Sequence, residues 1–277
     1  MSTNLHYTVV DGIRCFSPEV ANGFEYFPES GFDLTGKGGE SDFFWSRSRN
    51  RLFKRIVYDH VTSTGKIKFL EIGCATGEFI QQIVENEHIE ITGSEIYLKA
   101  LLHAQKNLPN VDLIQFDITQ GLIGEVFDLI VAFDVIEHIE YDVAAISNIN
   151  KMLREGGTLI ITVPQHTFLW SKLDEILKHK RRYSRRGLVT KLQENGFDIS
   201  YSTSFLFVLF PLMLISRMFD RGSYQTQPDR VAIEKRLKFS SALNWIFDLF
   251  MRIDEALIRL GISLPFGGTL AVVARKR

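Results

Sequence analysis

Residues 67–79 read Ile-Lys-Phe-Leu-Glu-Ile-Gly-Cys-Ala-Thr-Gly-Glu-Phe, an apolar run followed by a glycine-containing stretch. This pattern predicts a β-strand at 67–72, a tight loop from Gly73 to Gly77, and a helix after the loop. Glycine in such a loop lets a ligand lie against bare backbone at the helix N-terminus. The spacing fits neither the G-x-G-x-x-G fingerprint of nicotinamide-binding proteins nor the Gly-Lys-Ser/Thr of a P-loop. Glu71 would repel a pyrophosphate, so the loop favours a cationic ligand.

The rest of the chain repeats this alternation of strand and helix. Apolar runs predict six further strands, at residues 89–93, 111–116, 127–133, 158–163, 197–203 and 269–274. Strands that alternate with helices require right-handed crossovers in a mostly parallel sheet, with ligands at the carboxyl ends of the strands. The predicted fold class is therefore α/β, a doubly wound, mostly parallel sheet of seven strands.

Acidic residues stand at the predicted ends of the first three strands, as Glu71, Glu95 and Asp117. A carboxylate at the end of the second strand can accept hydrogen bonds from both hydroxyls of a ribose. Asp117 can accept from an adenine amino group while Ile118 packs on the ring. Each carboxylate alone could equally be a helix cap or a surface group. The three in register with the glycine loop favour a site for a nucleoside that bears a positive charge.

At this point the sequence resembles the class I S-adenosylmethionine-dependent methyltransferases of the type 11/type 12 group, over about residues 66–200. The resemblance rests on residues 70–77, 93–95, 127–130, 134–139 and 153–159. It implies a Rossmann-like fold with an antiparallel last strand, S-adenosylmethionine as the cofactor and S-adenosylhomocysteine as its product. The family usually has Gly where Ala75 stands. The cofactor site that the resemblance implies consists of Glu71, Gly73, Cys74, Ala75, Gly77, Glu95, Ile96, Asp117, Ile118, Phe133 and Asp134.

Two histidines are candidate catalytic bases for an oxygen acceptor. His138 follows the fourth predicted strand and His166 the fifth. Imidazole exchanges a proton near neutral pH, as activation of a hydroxyl requires. The alternative for His138 is that it caps or packs the next helix. Residues 133–136 depart from the Asn/Asp-Pro-Pro-aromatic sequence of base-methylating enzymes, which argues against a nucleobase amine.

A basic segment follows the fifth strand, with six Lys or Arg residues within 178–186. Such a segment could hold a phosphate or carboxylate, or could be a solvated loop. It is similar to a His-x-Arg-Arg-Tyr segment in methyltransferases that serve surface-polysaccharide or lipid-linked pathways. The candidate substrate-binding residues are Trp170, His179, Arg182 and Tyr183.

The chain is expected to divide into four parts: an N-terminal segment and lid helix at 1–60, the cofactor-binding α/β domain at 61–204, a helical insertion at 205–267, and the last strand at 268–277. The lid hypothesis rests on Phe44 and Trp45 as stacking surface and on Arg47, Arg49 and Arg51 as ligands for the donor carboxylate. The alternative is an ordinary packing helix. The insertion is expected to be buried, or to contact a membrane or lipid-borne acceptor through residues 205–260.

Composition and the first residues indicate which partners, metals and cellular location to expect. The formal net charge of −1 and the pI near 6.7 favour no nucleic-acid partner. Two distant cysteines, and no His/carboxylate cluster at ligand spacing, predict no metal. The N-terminus lacks the features of a signal peptide, so a cytoplasmic protein, peripheral to the membrane at most, is expected. The predicted function is methyl transfer to an oxygen of a small or lipid-linked acceptor, anionic or glycan in nature. A nicotinamide-dependent oxidoreductase and a non-catalytic S-adenosylmethionine-binding protein are the alternatives.

Overall fold

The structure, a computed structural model, describes residues 5–21, 43–61, 65–220 and 239–277. Its strands are β1 (Thr8–Val10), β2 (Ile13–Cys15), β3 (Ile67–Ile72), β4 (Ile89–Glu95), β5 (Asp112–Gln115), β6 (Phe127–Phe133), β7 (Leu153–Pro164), β8 (Phe197–Phe205) and β9 (Thr269–Lys276). Its α-helices are α1 (Phe44–Tyr58), α2 (Ile80–Ile83), α3 (Leu98–Asn107), α4 (Asp142–Met152), α5 (Lys172–Ile176), α6 (Arg185–Glu194), α7 (Phe210–Asp220) and α8 (Ser241–Arg259). Two 3₁₀ turns cover Ile136–His138 and Thr167–Leu169.

The described strands form one sheet in the order β1-β2-β5-β4-β3-β6-β7-β9-β8. The central strands β5, β4, β3, β6 and β7 are all parallel, whereas β9 runs antiparallel to both β7 and β8. The predicted doubly wound α/β class and the antiparallel last strand are confirmed. The sheet has nine strands rather than seven, because the hairpin of β1 and β2 adds to the free edge of β5. Strands of three residues are too short to show an alternating pattern in the sequence.

Both faces of the sheet are covered, which explains the continuous apolar run of β6. Leu129, Val131 and Phe133 pack in one core cluster with α1 and α8. Ile130 and Ala132 belong to the other cluster, with α4 and α6. Successive side chains of a strand point to opposite faces, so only a strand buried on both sides has no polar positions.

The insertion contributes α7 and α8, and α8 lies against α1. Arg51 of α1 forms ion pairs with Asp248 at 2.9 Å and Glu255 at 2.6 Å, and Arg47 lies 3.8 Å from Asp248. Trp45 of α1 stacks on Phe205 at the end of β8, with ring centroids 5.0 Å apart. These contacts hold α1 and α8 as one layer over the sheet.

The longest stretches that lie outside the described residues are 22–42 of the predicted N-terminal segment and 221–238 of the predicted insertion. Within the described ranges, the helices are too short or too polar for any of them to cross a membrane.

Candidate active site

A cavity of about 950 Å³ opens at the carboxyl ends of β3, β4, β5 and β6. Parallel strands end at the same edge of a sheet, so loops distant in sequence meet there. The cavity is lined by most of the residues predicted to bind cofactor or acceptor, namely Glu71, Gly73, Cys74, Ala75, Glu95, Ile96, Asp117, Ile118, Phe133, Asp134, His138, His179 and Arg182. Gly77, His166, Trp170 and Tyr183 do not line it.

The loop after β3 is shaped by backbone conformations that glycine adopts readily. Gly73 has φ +72°, and a Cβ there would lie 2.5 Å from a methyl carbon of Val135. Ala75, where the family usually has Gly, also lies in the left-handed region with φ +47°. A left-handed alanine costs about 1–2 kcal/mol. Its N–H donates to Glu95 at 3.0 Å, and this bond helps to hold the strained conformation.

Glu95 and Asp117 line the cavity at the carboxyl ends of β4 and β5. The Glu95 carboxylate accepts from the backbone N–H groups of Ala75 at 3.0 Å, Ile96 at 2.8 Å and Tyr97 at 3.3 Å. Burial raises the pKa of Glu95, and the three backbone bonds oppose this rise. Asp117 accepts from the backbone and hydroxyl of Thr119 at 2.8 and 2.7 Å. Both carboxylates are thus fixed in place while they line the cavity, as hydrogen-bond acceptors for a nucleoside must be.

Glu71 offers the cavity a group that fits a cationic ligand. Its side chain is buried, and its Oε2 has no hydrogen-bond partner among the described residues. Burial raises the pKa of Glu71 to about 8; Arg49 lowers it, and Glu95 and Glu78 raise it further. A buried carboxylate with an unpaired oxygen is costly unless a positive group meets it. This orphan oxygen beside the Gly73 loop therefore fits the cationic donor that the sequence predicted.

Helix α1 covers the cavity and contributes Phe44, Trp45 and Arg49 to its lining. Of the three arginines in the lid hypothesis, only Arg49 lines the cavity, where it contacts Asp134 at 3.3 Å. Arg47 and Arg51 are engaged by acidic residues of α8. Arg47 and Arg51 are four residues apart and share one side of the helix, whereas Arg49, two residues from each, lies on the opposite side.

A polar corner lies at the end of β6, where Glu137 and His138 on the 3₁₀ turn meet His179. The His138 and His179 rings have centroids 4.8 Å apart in an edge-to-face arrangement. His179 Nδ1 lies 2.9 Å from Asp174 Oδ1. Burial, with Asp134 nearby, raises the pKa of Glu137 well above its usual range. The sequence indicates His138 and His179 as site residues but no role for Glu137 or Asp174, because the environments of those two side chains depend on tertiary packing.

Several residues predicted to contact the acceptor instead bond to other residues of the protein. Arg182 donates two bonds to Asp174, at 2.7 and 3.1 Å, and one to the carbonyl of Gln165. Tyr183 is buried, and its hydroxyl donates to Asp142 at 2.6 Å. Arg181 also pairs with Asp142, at 3.1 Å. Of the six basic residues of this segment, Arg181 and Arg182 are therefore paired with nearby acids, and the expectation that Tyr183 faces the acceptor is wrong.

His166 and Trp170 are likewise not brought to the cavity. The His166 ring packs against Phe168 and Phe210, with centroids 5.0 and 5.6 Å away, and the backbone N–H of His166 donates to the carbonyl of Tyr183. Burial lowers the pKa of His166, and Arg182 and Arg185 lower it further. Of the two predicted bases, only His138 lines the cavity.

Comparison with known proteins agrees with this geometry. Residues 42–201 match the family described as methyltransferase domain. The malonyl-[acyl-carrier protein] O-methyltransferase of Paenibacillus sp. is 30% identical over 113 residues, which are 37% of this chain and only 41% of that relative's length.

Among solved structures, the [4+2]-cyclase SpnF is similar with a TM-score of 0.61 at 16% identity, over 99% of both chains. Phosphoethanolamine N-methyltransferase 2 of Haemonchus contortus, in complex with S-adenosylmethionine, has a TM-score of 0.55 at 15% identity, over 88% of this chain and 59% of its own. At such identities the structures show a shared fold. The family match at residues 42–201 covers more than half of the chain and argues against the alternative of a nicotinamide-dependent oxidoreductase. The chain belongs to the methyltransferase domain family and is an S-adenosylmethionine-dependent methyltransferase.

Proposed function

We propose that the enzyme methylates an oxygen of an acceptor that carries an apolar chain and is taken from a membrane surface. The observation that carries this proposal is the composition of the cavity wall opposite the strand ends. That wall is apolar, and it is built by α1, α7 and the start of α8, together with the residues that precede them. Its lining residues include Phe43, Phe44, Trp45, Leu206, Leu209, Leu212, Met213, Phe239 and Phe247.

The outer face of α8 supports the membrane part of the proposal. Asp248 and Asp254 point inward and are buried, whereas a broad stripe on the opposite side is apolar and exposed. That stripe consists of Leu243, Trp245, Ile246, Leu249, Phe250 and Ile253. Arg252 and Arg259 lie exposed beside it. An amphipathic helix that presents large apolar residues with flanking arginines suits the interface of an anionic bilayer.

The exposed stripe and the cavity are joined by apolar residues. Phe239 lines the cavity, is 37% exposed, and stacks on Phe43 with centroids 5.9 Å apart. Leu212 of α7 lines the cavity and is 48% exposed. An acyl or isoprenoid chain could therefore leave a bilayer beside α8 and remain in apolar contact as far as the cavity. Full burial of each large apolar side chain contributes about 1.5–3 kcal/mol.

The head group of the acceptor would meet polar residues. Lys172 and Arg217 line the cavity near α5 and α7, so a phosphate or carboxylate would find positive charge there. The acceptor oxygen is assigned to the corner of Glu137, His138 and His179, which holds the one predicted base that lines the cavity. The matched relative that is named an O-methyltransferase supports oxygen as the methylated atom.

The residues that line the cavity divide the chemistry between them. When bound, S-adenosylmethionine supplies an electrophilic methyl group, whose bond to sulfur breaks with both electrons retained by sulfur. Glu71, Glu95 and Asp117 would hold the donor at the strand ends. Phe44 and Trp45 cover the cavity and reduce access of water. At the polar corner a hydroxyl acceptor loses its proton, so that the oxygen can form the new bond to carbon.

Vesicle binding with matched variants tests the membrane part. The chain is mixed with phosphatidylglycerol vesicles and with phosphatidylcholine vesicles, at low and high salt. We expect binding to the anionic vesicles at low salt, with a blue shift of Trp245 fluorescence. Leu249→Glu with Ile253→Glu should weaken binding about tenfold or more, because two apolar contacts are lost and two negative charges added. Val143→Glu on α4, which is 49% exposed against 48% for Leu249, is the matched control and should leave binding unchanged.

The acceptor itself is tested with methyl-labelled donor and an extract of the producing cell, separated into lipid and aqueous fractions. The proposal predicts label in the lipid fraction, on oxygen. Label confined to water-soluble products, or vesicle binding that the α8 variants leave unchanged, would contradict it.

A further inference from the structure

The polar corner contains two histidines and a buried glutamate, which is more than proton transfer alone requires. Glu137, His138 and His179 each place a possible ligand atom within 4.8 Å of the others. All three side chains line the cavity. Glu137 has no exposed surface, and neither of its carboxylate oxygens has a hydrogen-bond partner among the described residues. A fully buried carboxylate without a donor is costly, and a bound cation would remove that cost.

The surroundings of His179 fix its ring in the orientation that a metal ligand needs. Its Nδ1 lies 2.9 Å from Asp174 Oδ1, so an Nδ1–H donor leaves the lone pair on Nε2. Asp174 is held in turn by two bonds from Arg182 and by the backbone N–H of Ser171 at 2.9 Å. A carboxylate behind a histidine is the usual outer-shell partner of histidines that bind metal ions.

The two pieces of backbone that carry the corner are joined directly. The N–H of Lys180 donates to the carbonyl of Glu137 at 2.7 Å, and the N–H of His179 donates to the carbonyl of Asp174 at 2.8 Å. The loop that carries His179 is therefore fixed against the 3₁₀ turn that carries Glu137 and His138. Ligands held on a rigid frame lose little entropy when an ion binds.

We propose that Glu137, His138 and His179 bind a divalent transition-metal ion of the Zn²⁺ class, with a coordination position open to the cavity. Two histidines and one carboxylate form a ligand set found at catalytic zinc sites, which keep a further position for water or substrate. Members of the family transfer methyl groups without a metal requirement, so the ion would be an addition in this chain. Metal binding stands on the cluster alone; only the occupant of the open position rests on the proposed function.

In that position the ion would bind the acceptor oxygen. A divalent ion lowers the pKa of a bound hydroxyl, so the proton can leave to solvent water before the oxygen forms its bond to the methyl carbon. His138 then acts as a ligand, and direct proton abstraction by its ring is not needed. The Asp174–Arg182 ion pair then positions the ring of His179.

Spectroscopy with Co²⁺ tests the site without any turnover assay. The whole chain is stripped with chelator, dialysed, and titrated with Co²⁺ alone, with visible absorption as the readout, and then with Zn²⁺ as competitor. We expect about one ion per chain with the absorption of a low-symmetry site, displaced by Zn²⁺. His179→Ala and His138→Ala should each abolish the band, and Asp174→Asn should weaken binding by about 10- to 100-fold.

His103→Ala, on α3 and outside the cluster, is the matched control and should bind Co²⁺ as the parent does. Binding of S-adenosylhomocysteine by each variant reports whether it is folded, so loss of metal in a variant that still binds this ligand is not unfolding. If Asp174→Asn fails this check, the two histidine variants decide. The absence of a Co²⁺ band in the parent, or equal Co²⁺ affinity in the double variant His138→Ala/His179→Ala, would overturn the proposal. Vesicle binding is independent of this result.

Discussion

The two halves of the cavity are built in different ways. The proposed donor half consists of the loops at the ends of β3, β4 and β5, where Glu71, Glu95 and Asp117 each lie within two residues of a strand end. The proposed acceptor half is assembled from α1, α5, α7 and α8, which join it through ion pairs, hydrogen bonds and ring contacts made across long stretches of chain. The geometry of the donor half follows from strand register, whereas the acceptor half depends on which helices pack together. Substitutions in the two halves should therefore differ in what they disturb.

The largest effect is expected for Glu95→Ala, which removes the carboxylate proposed to accept from a ribose. Two hydrogen bonds to a charged acceptor contribute about 1.5–3 kcal/mol each, so affinity for S-adenosylhomocysteine should fall by about 100-fold or more. Calorimetry measures the change. Glu90→Ala, exposed on the same strand, is the control and should bind normally. A loss of less than about threefold in Glu95→Ala would mean that the donor lies elsewhere.

Donor affinity is expected to depend on pH through Glu71. Because burial raises the pKa of Glu71 to about 8, the free protein holds a proton there at neutral pH. A cationic donor favours the ionised form, so donor binding should release that proton, and affinity should rise about tenfold or more from pH 6 to 8. Calorimetry in buffers of different ionisation enthalpy measures the release.

The same shift has a stability consequence with a defined sign. The pKa of Glu71 is raised in the folded chain, so its contribution to the free energy of unfolding is fully present below the usual glutamate pKa of 4.5 and is lost as pH rises toward about 8. Glu71→Gln cannot ionise and should remove both pH dependences. A donor affinity that stays flat in the parent would show that Glu71 does not face the donor's charge.

Packing beneath the donor half is tested by Gly93→Ala. A Cβ on Gly93 would lie 2.7 Å from a methyl carbon of Ile80 and 2.9 Å from one of Leu113. Overpacking of this kind costs about 1–3 kcal/mol, which should appear as a lower urea midpoint. Gly65→Ala, with nothing within 4 Å of the added carbon, is the matched control and should be neutral or slightly stabilising. Equal midpoints would mean that β4 and α2 are less closely packed than described.

Arg51→Ala should disturb the acceptor half alone, with the smallest effect. Arg51 joins α1 to Asp248 and Glu255 of α8 and does not line the cavity. Its loss should lower the free energy of unfolding by about 1–2 kcal/mol, reduced by partial exposure of the pair, and should leave donor affinity unchanged. Arg55→Ala is the control, because Arg55 and Asp59 are both more than half exposed. A large loss of donor affinity in Arg51→Ala would contradict the separation of the two halves.

The same division explains what the sequence could predict. The seven main strands and the loop at Gly73 follow from local periodicity and glycine placement, and Glu71, Glu95 and Asp117 follow from their positions at strand ends. The proximity of Glu137 and His179 depends on the bond between Lys180 and Glu137, a tertiary contact that no local pattern shows. The sequence leaves both burial and membrane contact open for the insertion, and the structure exposes the apolar stripe of α8. It faces outward because Asp248 and Glu255 turn the polar side of the helix toward the arginines of α1.

A crystal structure with bound S-adenosylhomocysteine is the most direct test of the donor half. It should show the ribose hydroxyls on the Glu95 carboxylate, the adenine between Ile118 and Asp117, and the amino group of the ligand beside Glu71. The apolar wall formed by Leu209, Met213 and Phe247 should remain open to an acceptor. A ligand seated against that apolar wall, with Glu95 and Glu71 making no contact to it, would contradict the account.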